Sequence, residues 1–295
     1  MAQTGVIART RAPAAAVSSD DRAILRIRVA TIAGIVIAWE VLAYLGSIGV
    51  LYNDVVPSSW KVAVAIWHQV ISASFYHDLG VTFIEVFFGF LIGSAIAIFV
   101  GIAMGTRPLL RKSLEPYLNA IGSTPKIIFL PILFLLFGTG IESKIAKGAL
   151  SAFFPVVFST SLGMLLINPV LIKVGKSFNL SRWKMVTKIY VPAMINPVIT
   201  GLRLGMAIAV IGVLVAELKF ADAGLGFRLG NYYDRFDIAS MYAIIVIIFL
   251  LAAGANVGMT RLQKRINRRM APTAAKGGQK AGASASGGLG VVATN

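Results

Sequence analysis

The sequence predicts an all-α polytopic membrane protein with six transmembrane helices. Three observations predict it. Of the 295 residues, 57% are hydrophobic and only 14% are charged, against about 25% charged in soluble domains. Mean hydropathy is +0.80. The apolar residues are gathered into six runs, each near or above the ~20 residues that a bilayer crossing needs. A continuous apolar run in lipid is a helix, because a helix satisfies every backbone group internally. This composition excludes a soluble globular domain and, for most of the chain, intrinsic disorder.

Residues 1–28 carry Arg9, Arg11, Arg22, Arg26 and Arg28 among Ala and Ser. They read as a solvated cytoplasmic tail, with no apolar h-region of a cleavable signal before residue 29. The stretch 29–78 combines a first span (29–50) with an outer segment, SSWKVAVAIWHQVISASF. That segment reads as an amphipathic helix whose Trp60, Trp67, Phe75 and Tyr76 suit the membrane interface. The second span covers about 79–105. The third, about 114–137, contains Pro116, Pro125 and Pro131. Each proline removes a backbone donor, so a bent or broken helix is expected there. The fourth, fifth and sixth spans cover about 144–167, 194–218 and 238–259. Residues 266–295 are expected to be a disordered cytoplasmic tail, rich in Gly, Ala and Ser.

The net charge is +16, and its placement gives an orientation. Besides the N-terminal arginines, cations follow the second span (Arg107, Arg111, Lys112), the fourth (Lys173, Lys176, Arg182, Lys184, Lys188) and the sixth (Arg261, Lys264, Arg265, Arg268, Arg269). Cytoplasmic loops collect Lys and Arg, so both termini are expected in the cytoplasm and the excess charge needs no nucleic-acid partner. The chain has no Cys, which excludes disulfides and thiolate metal sites. His68 and His77 have few ligand partners nearby in sequence, and no metal is expected. No G-x-x-x-x-G-K-[ST], G-x-S-x-G or H-E-x-x-H motif occurs, so no ATPase or hydrolase chemistry is expected of this chain.

Glycines recur four apart in the spans: Gly89/Gly93, Gly101/Gly105, Gly201/Gly205 and Gly254/Gly258. That spacing predicts close helix crossings, in a tight bundle or a dimer. Ionisable residues within spans are candidates for function because burying them is costly. They are Glu40, Glu85, Lys126, Lys144, Lys147, Arg203 and Glu217. Of these, Arg203, Glu217 and Glu85 are candidates for a translocation pathway, whereas Lys144 and Lys147 read as side chains that snorkel from the fourth span.

The connection 168–192, NPVLIKVGKSFNLSRWKMVTKIYVP, interleaves aromatic and aliphatic residues with cations and contains no acid. It predicts two short helices joined near Asn179, with Asn179 or Ser181 as a helix cap. Such a segment can lie on anionic lipid or dock a partner protein, and its pattern leaves both open.

From about 80 to 265 the chain resembles the permease subunits of binding-protein-dependent ABC importers, in the branch of the nitrate, sulfonate and taurine systems. The resemblance runs through STPKIIFLPILFLLFGTGIESK (123–144), SAFFPVVFSTSLG (151–163), the 168–192 connection, PVITGLRLGMAIAVIGVLVAEL (197–218) and AGLGFRL (223–229). It implies a type I ABC importer permease fold with a cytoplasmic coupling helix, in which 79–265 is the transmembrane domain. In that family the coupling loop carries an EAA-type motif, then a Gly, then Leu-Pro, and inserts into the ATPase. Lys173-Val174-Gly175 stands at Glu-Ala-Ala, Asn179 at the Gly and Val191-Pro192 at Leu-Pro. Lys173 therefore reverses a charge, and Glu85 stands where many relatives carry Arg.

The resemblance assigns ATPase coupling to Lys173, Lys176, Phe178, Asn179, Leu180, Ser181, Arg182 and Trp183. It implies a homodimer in the cell (inner) membrane, two copies of a separate ABC ATPase that use ATP and Mg, and a periplasmic or surface substrate-binding protein. It implies no cofactor on this chain and a small anionic solute as cargo. The alternative is an ion-gradient-driven secondary transporter. A broken third span suits that class, although no internal repeat is evident.

Overall fold

The computed structural model describes residues 19–50 and 55–270. The solvated tail expected before residue 19 and the disorder expected after residue 270 lie outside the described residues. The chain divides into two units, 1–65 and 66–295.

In the first unit, α1 runs Ser19–Ser47. The span thus begins well before residue 29, inside the expected tail. Ala, Leu and Arg, all good helix formers, carry the helix forward from there. The helix returns to the chain after it through Trp39 Nε1, which donates to Pro57 O at 2.9 Å. Glu40 Oε1 accepts the Ser59 N–H at 2.8 Å, so this span acid serves the start of α2 (Ser59–Ile71).

The second unit is built around three long helices: α3 (Ala73–Thr106), α6 (Ile141–Leu165) and α9 (Val191–Phe220). Helix α6 packs along α3 on one side and α9 on the other. Glycine makes these contacts close. A Cβ on Gly89 would stand 2.8 Å from Ile145 O, and one on Gly205 2.8 Å from Val156 Cγ2. Gly93 faces the Ala149 backbone, Gly101 faces Thr160, Gly105 faces Met164 and Gly201 faces Ser159. Three of the four expected pairs are therefore helix crossings onto α6. Within this chain the fourth meets no neighbour: Gly254 and Gly258 on α11 (Ile238–Met270) have nothing within 4 Å of a built Cβ. Spacing marks a smooth helix face, and only a neighbour turns it into a crossing.

The third apolar run is split. Helix α4 (Pro108–Ser123) stops before Pro125, a 3₁₀ turn covers Lys126–Phe129, and α5 (Leu130–Phe137) leaves at 94°. The residue before a proline is driven to extended angles, and Thr124 has φ −69°, ψ 137°. The carbonyls freed at the end of α4 are reclaimed. Thr124 Oγ1 and Ser123 Oγ donate to Ala120 O, and Lys126 Nζ donates to Gly122 O and Thr124 O. Pro116 lies inside α4, and Pro131 falls in the first turn of α5 where a missing N–H is harmless. Among the described residues, five helices are long and apolar enough to cross a bilayer, six if this bent pair is one span.

Between α9 and α11, Leu225–Asp234 forms α10. One further departure follows from helix propensity. Helix α11 runs through Met270, so the disorder expected from residue 266 does not begin there. RLQKRINRRM is composed mostly of good helix formers and continues past the apolar run.

Candidate functional site

The 168–192 connection folds as an ordered platform at the N-terminal end of α9. Asn168 Oδ1 accepts the Val170 N–H at 2.9 Å and caps α7 (Pro169–Ser177), with Pro169 in the first turn. The helix ends in a Schellman motif. Leu180 N–H donates to Gly175 O, Asn179 N–H donates to Lys176 O, and Asn179 sits at φ 49°. Asn is among the few non-glycine residues that accept left-handed angles. Helix α8 (Arg182–Met185) follows, then a π-helical turn, Val186–Tyr190, that leads into α9. Val191 N–H reaches back five residues to Val186 O. Pro192 has no N–H for the next bond, and the wider turn absorbs that loss.

One face of the platform is packed and the other is bare. Gly175 lies against Ile189 and Met185. Ile172 and Tyr190 pack on Met164, Ile167 and Met194 at the ends of α6 and α9. Phe178 and Trp183 are 76% and 75% exposed, and Lys173, Lys176, Asn179 and Ser181 are exposed beside them. Leu180 is half-buried. The side chain of Arg182 lies outside the described residues. The expected pair of helices joined at Asn179 is what the backbone forms.

At the other end of α9 a buried polar clamp holds the chain around α10. Thr82 Oγ1 donates to Glu217 Oε1 at 2.6 Å and accepts the Leu225 N–H at 2.8 Å. Glu217 Oε2 accepts the Gly226 N–H at 2.7 Å. Asp78 accepts from Gly224 N–H at 3.1 Å and from Arg228 Nε at 2.6 Å. Arg228 also donates to Gln69 Oε1 and Ser74 Oγ, both at 2.9 Å. Gln69 Nε2 donates to Tyr232 Oη at 2.7 Å. Gly224 has φ 111°, with the Glu217 carboxyl packed where a Cβ would go.

Glu85 and Glu217 are each 1% exposed. The two carboxyls act on each other electrostatically, and so does the Lys144 ammonium on both. Two of the three pathway candidates therefore meet in one cluster. Arg203 does not join them. It is half-buried on α9, fourteen residues before Glu217, roughly 21 Å along the axis. An apolar cleft of about 450 Å³ between α3, α9 and α11 touches this region through Thr82. Its remaining lining is hydrophobic or glycine, including Phe83, Phe87, Met206 and Gly254.

A family model described as "Binding-protein-dependent transport system inner membrane component" matches residues 93–272. The chain belongs to this family of membrane permeases. It is 27% identical over 81% of its length to the taurine transport system permease protein of Escherichia coli, covering 87% of that protein. It is 24% identical over 79% of its length to the nitrate import permease protein of Synechococcus elongatus, covering 85% of it. It is 28% identical over 78% of its length to the formylaminopyrimidine transport permease protein of Halalkalibacterium halodurans, covering 90% of it. In fold it is similar to a chain of the inward-facing MetNI methionine ABC transporter, with a TM-score of 0.55 and 21% identity. That match covers 70% of this chain and 97% of the other.

This permease is thus an all-helical membrane transport protein with the type I ABC importer permease fold. The family is one of transport subunits, which implies an ATPase and a substrate-binding protein as partners. Asp78, Thr82, Gln69 and Arg228 escaped sequence reasoning because each lies at a span end or on a connection, where a polar residue needs no explanation. The available signal was the pairing of AGLG, a backbone that demands close approach, with an isolated Glu217 just before it.

The Schellman turn yields a first prediction. Asn179→Gly should leave the permease as stable as before, because Gly takes left-handed angles freely. Asn179→Val should cost about 1–2 kcal/mol, read as a fall in melting temperature in detergent with Asn179→Gly as reference.

Proposed function

We propose that this permease is the translocation subunit of an ATP-driven importer for a small oxyanion such as a sulfonate or nitrate, with residues 168–192 as the docking surface for its ATPase. One observation carries the docking assignment. Phe178 and Trp183 stand bare on a platform whose backbone is fixed by a cap, a Schellman motif and packing onto α6 and α9. A segment that only rests on lipid has no need of such fixed geometry. Interfaces, by contrast, draw most of their energy from fixed aromatic and arginine anchors. The platform continues directly into α9, so a displacement of its bare face is passed to the helix that also carries Glu217.

In this reading two copies of the permease form the pathway, each engaged by one ATPase. Both termini and the platform face the cytoplasm, as the Lys and Arg asymmetry favours. The clamp around α10 then lies at the outer end, where a substrate-binding protein delivers the solute. ATP and Mg are held by the ATPase, and this chain holds no cofactor and catalyses no reaction. The oxyanion cargo rests on the likeness to taurine and nitrate permeases.

The test is co-purification of the ATPase and ATP-dependent uptake in proteoliposomes. Trp183→Ala should leave the permease inserted while ATPase recovery falls ~10-fold or more, as expected for an interface anchor worth 2 kcal/mol or above. Lys173→Glu tests the partner: an ATPase shaped for the family's Glu keeps binding, whereas one matched to Lys173 is repelled. Unchanged recovery and uptake with both Phe178→Ala and Trp183→Ala would overturn the docking assignment.

A further inference from the structure

Lys147 is the most deeply buried cation of the transmembrane core that has no partner among the described residues. Lys147, two turns into α6, is 3% exposed. Among the described residues its ammonium donates to no acceptor and makes no ion pair. The side chain acting on it electrostatically is another cation, Lys126. Lys126 sits at the break between α4 and α5, with its Nζ on the Gly122 and Thr124 carbonyls and 5.1 Å from the Phe154 ring centroid. Carbonyls and a ring face solvate a cation, but they do not neutralise it. Ser151 and Phe154 follow Lys147 by one and two turns on α6, which brings this face of the helix to the α4–α5 break.

Lys144 supplies the contrast. It is equally buried, yet its ammonium is bound by the Thr139 and Gly140 carbonyls and is acted on by Glu85, Asp222, Glu217 and Glu142. Three residues further along the same helix, acids are replaced by a like charge. A buried cation that feels only a like charge is costly unless an anion offsets it. Lys147 Nζ is also not among the sealed, partnerless atoms of the core, so the little surface the residue keeps includes its ammonium. A buried charge within a span is costly and is by default a candidate for function, solute paths included.

We infer that Lys147 and Lys126 form an anion-binding subsite within the membrane, which takes a small monovalent oxyanion such as nitrate or an alkyl sulfonate during its passage. Lys147 contributes the free donor and Lys126 the adjoining positive field. The 450 Å³ apolar cleft cannot serve this purpose, because it offers no donor beyond Thr82, whose hydroxyl is already given to Glu217. This inference rests on the importer reading above and gives its cargo a place.

The experiment uses the full-length permease in phosphatidylcholine nanodiscs and follows its melting temperature against sodium nitrate and sodium methanesulfonate at constant ionic strength. A ligand that binds only the folded state raises that temperature with its concentration. The wild type and Lys147→Arg should respond. Lys147→Leu should require ~10-fold or more anion for the same shift, the loss expected when a charged hydrogen-bond donor is removed. Without anion, Lys147→Leu should melt no lower than wild type, since it exchanges an unneutralised charge for an apolar side chain in a buried site. Equal responses from wild type and Lys147→Leu would overturn the subsite and leave the oxyanion importer standing. A response that needs phosphatidylglycerol in the disc would assign the lysines to a lipid headgroup, and the subsite would fall. ATP-dependent uptake of nitrate and taurine is measured in parallel. Absent uptake together with no anion response in wild type would remove both the subsite and the oxyanion reading.

Discussion

Glu217→Ala is expected to abolish recovery of a folded permease, or to lower its melting temperature more than any other single polar change. Glu217 is 1% exposed, and both carboxyl oxygens are in use: one accepts from Thr82 and the other from the Gly226 N–H. Alanine leaves those two donors buried without partners, at about 1–3 kcal/mol each. It also releases the turn at Gly224, whose positive φ is held against the carboxyl. Glu217→Gln retains an acceptor for one donor and should fall between alanine and wild type. Thr82→Val should follow the same direction with a smaller effect. It strips the Leu225 N–H of its acceptor but leaves the Gly226 bond to Glu217 in place. The measurement is a melting curve in one detergent for the four proteins, in the expected order wild type, Thr82→Val, Glu217→Gln, Glu217→Ala. Wild-type stability in Glu217→Ala would mean that α10 is held by its apolar contacts alone, through Leu225 on Phe75, Ile244 and Ile247.

Gly93→Leu is expected to prevent assembly of the core, whereas Gly254→Leu leaves the fold of the single chain intact. A Cβ on Gly93 would run into the backbone of Ala149 on α6. Backbone cannot rotate aside as a side chain can, so α3 and α6 must separate. The cost then spreads along the rest of the α3–α6 contact, where Gly89, Gly101 and Gly105 share the same crossing. Overpacking by a few methylenes in a tight interior costs about 1–3 kcal/mol even when side chains can yield, and more is expected here. Gly254 meets nothing within 4 Å. The check is the fraction of monodisperse protein after solubilisation for each variant. Equal recovery of Gly93→Leu and wild type would show that the helices slide apart without loss.

Much of the architecture was readable because membrane helices announce themselves locally. A run of apolar residues must be helical in lipid whatever it packs against. A break within the third apolar run and a junction near Asn179 were likewise legible, since each depends on what one residue allows its own backbone; which of the three prolines breaks the helix was not. The platform was partly legible for the same reason: caps and turn residues lie within a few positions of the groups that they satisfy. Its bare face was not, because the pattern of 168–192 suits both a lipid surface and a protein.

What sequence could not supply was partnership across distance. Gly254/Gly258 has the same spacing as Gly89/Gly93, and only the position of α6 separates a crossing from a smooth face. Glu85, Glu217 and Arg203 looked alike as isolated charges in apolar runs. Folding brought Glu85 and Glu217 together at one end of α9 and left Arg203 apart. Lys144 and Lys147 looked alike as snorkelling side chains. Their different surroundings are set by which residues of α3, α9 and the α4–α5 break face each turn of α6. The sequence by itself determined that the chain crosses a membrane as helices, that the third apolar run does not continue as one straight helix, and which loop carries cations without acids. Each of these follows from the chemistry of neighbouring residues along the chain. The tertiary structure alone decided which charges are neutralised and which glycines are crossings, because a charge or a groove is defined by what stands opposite it.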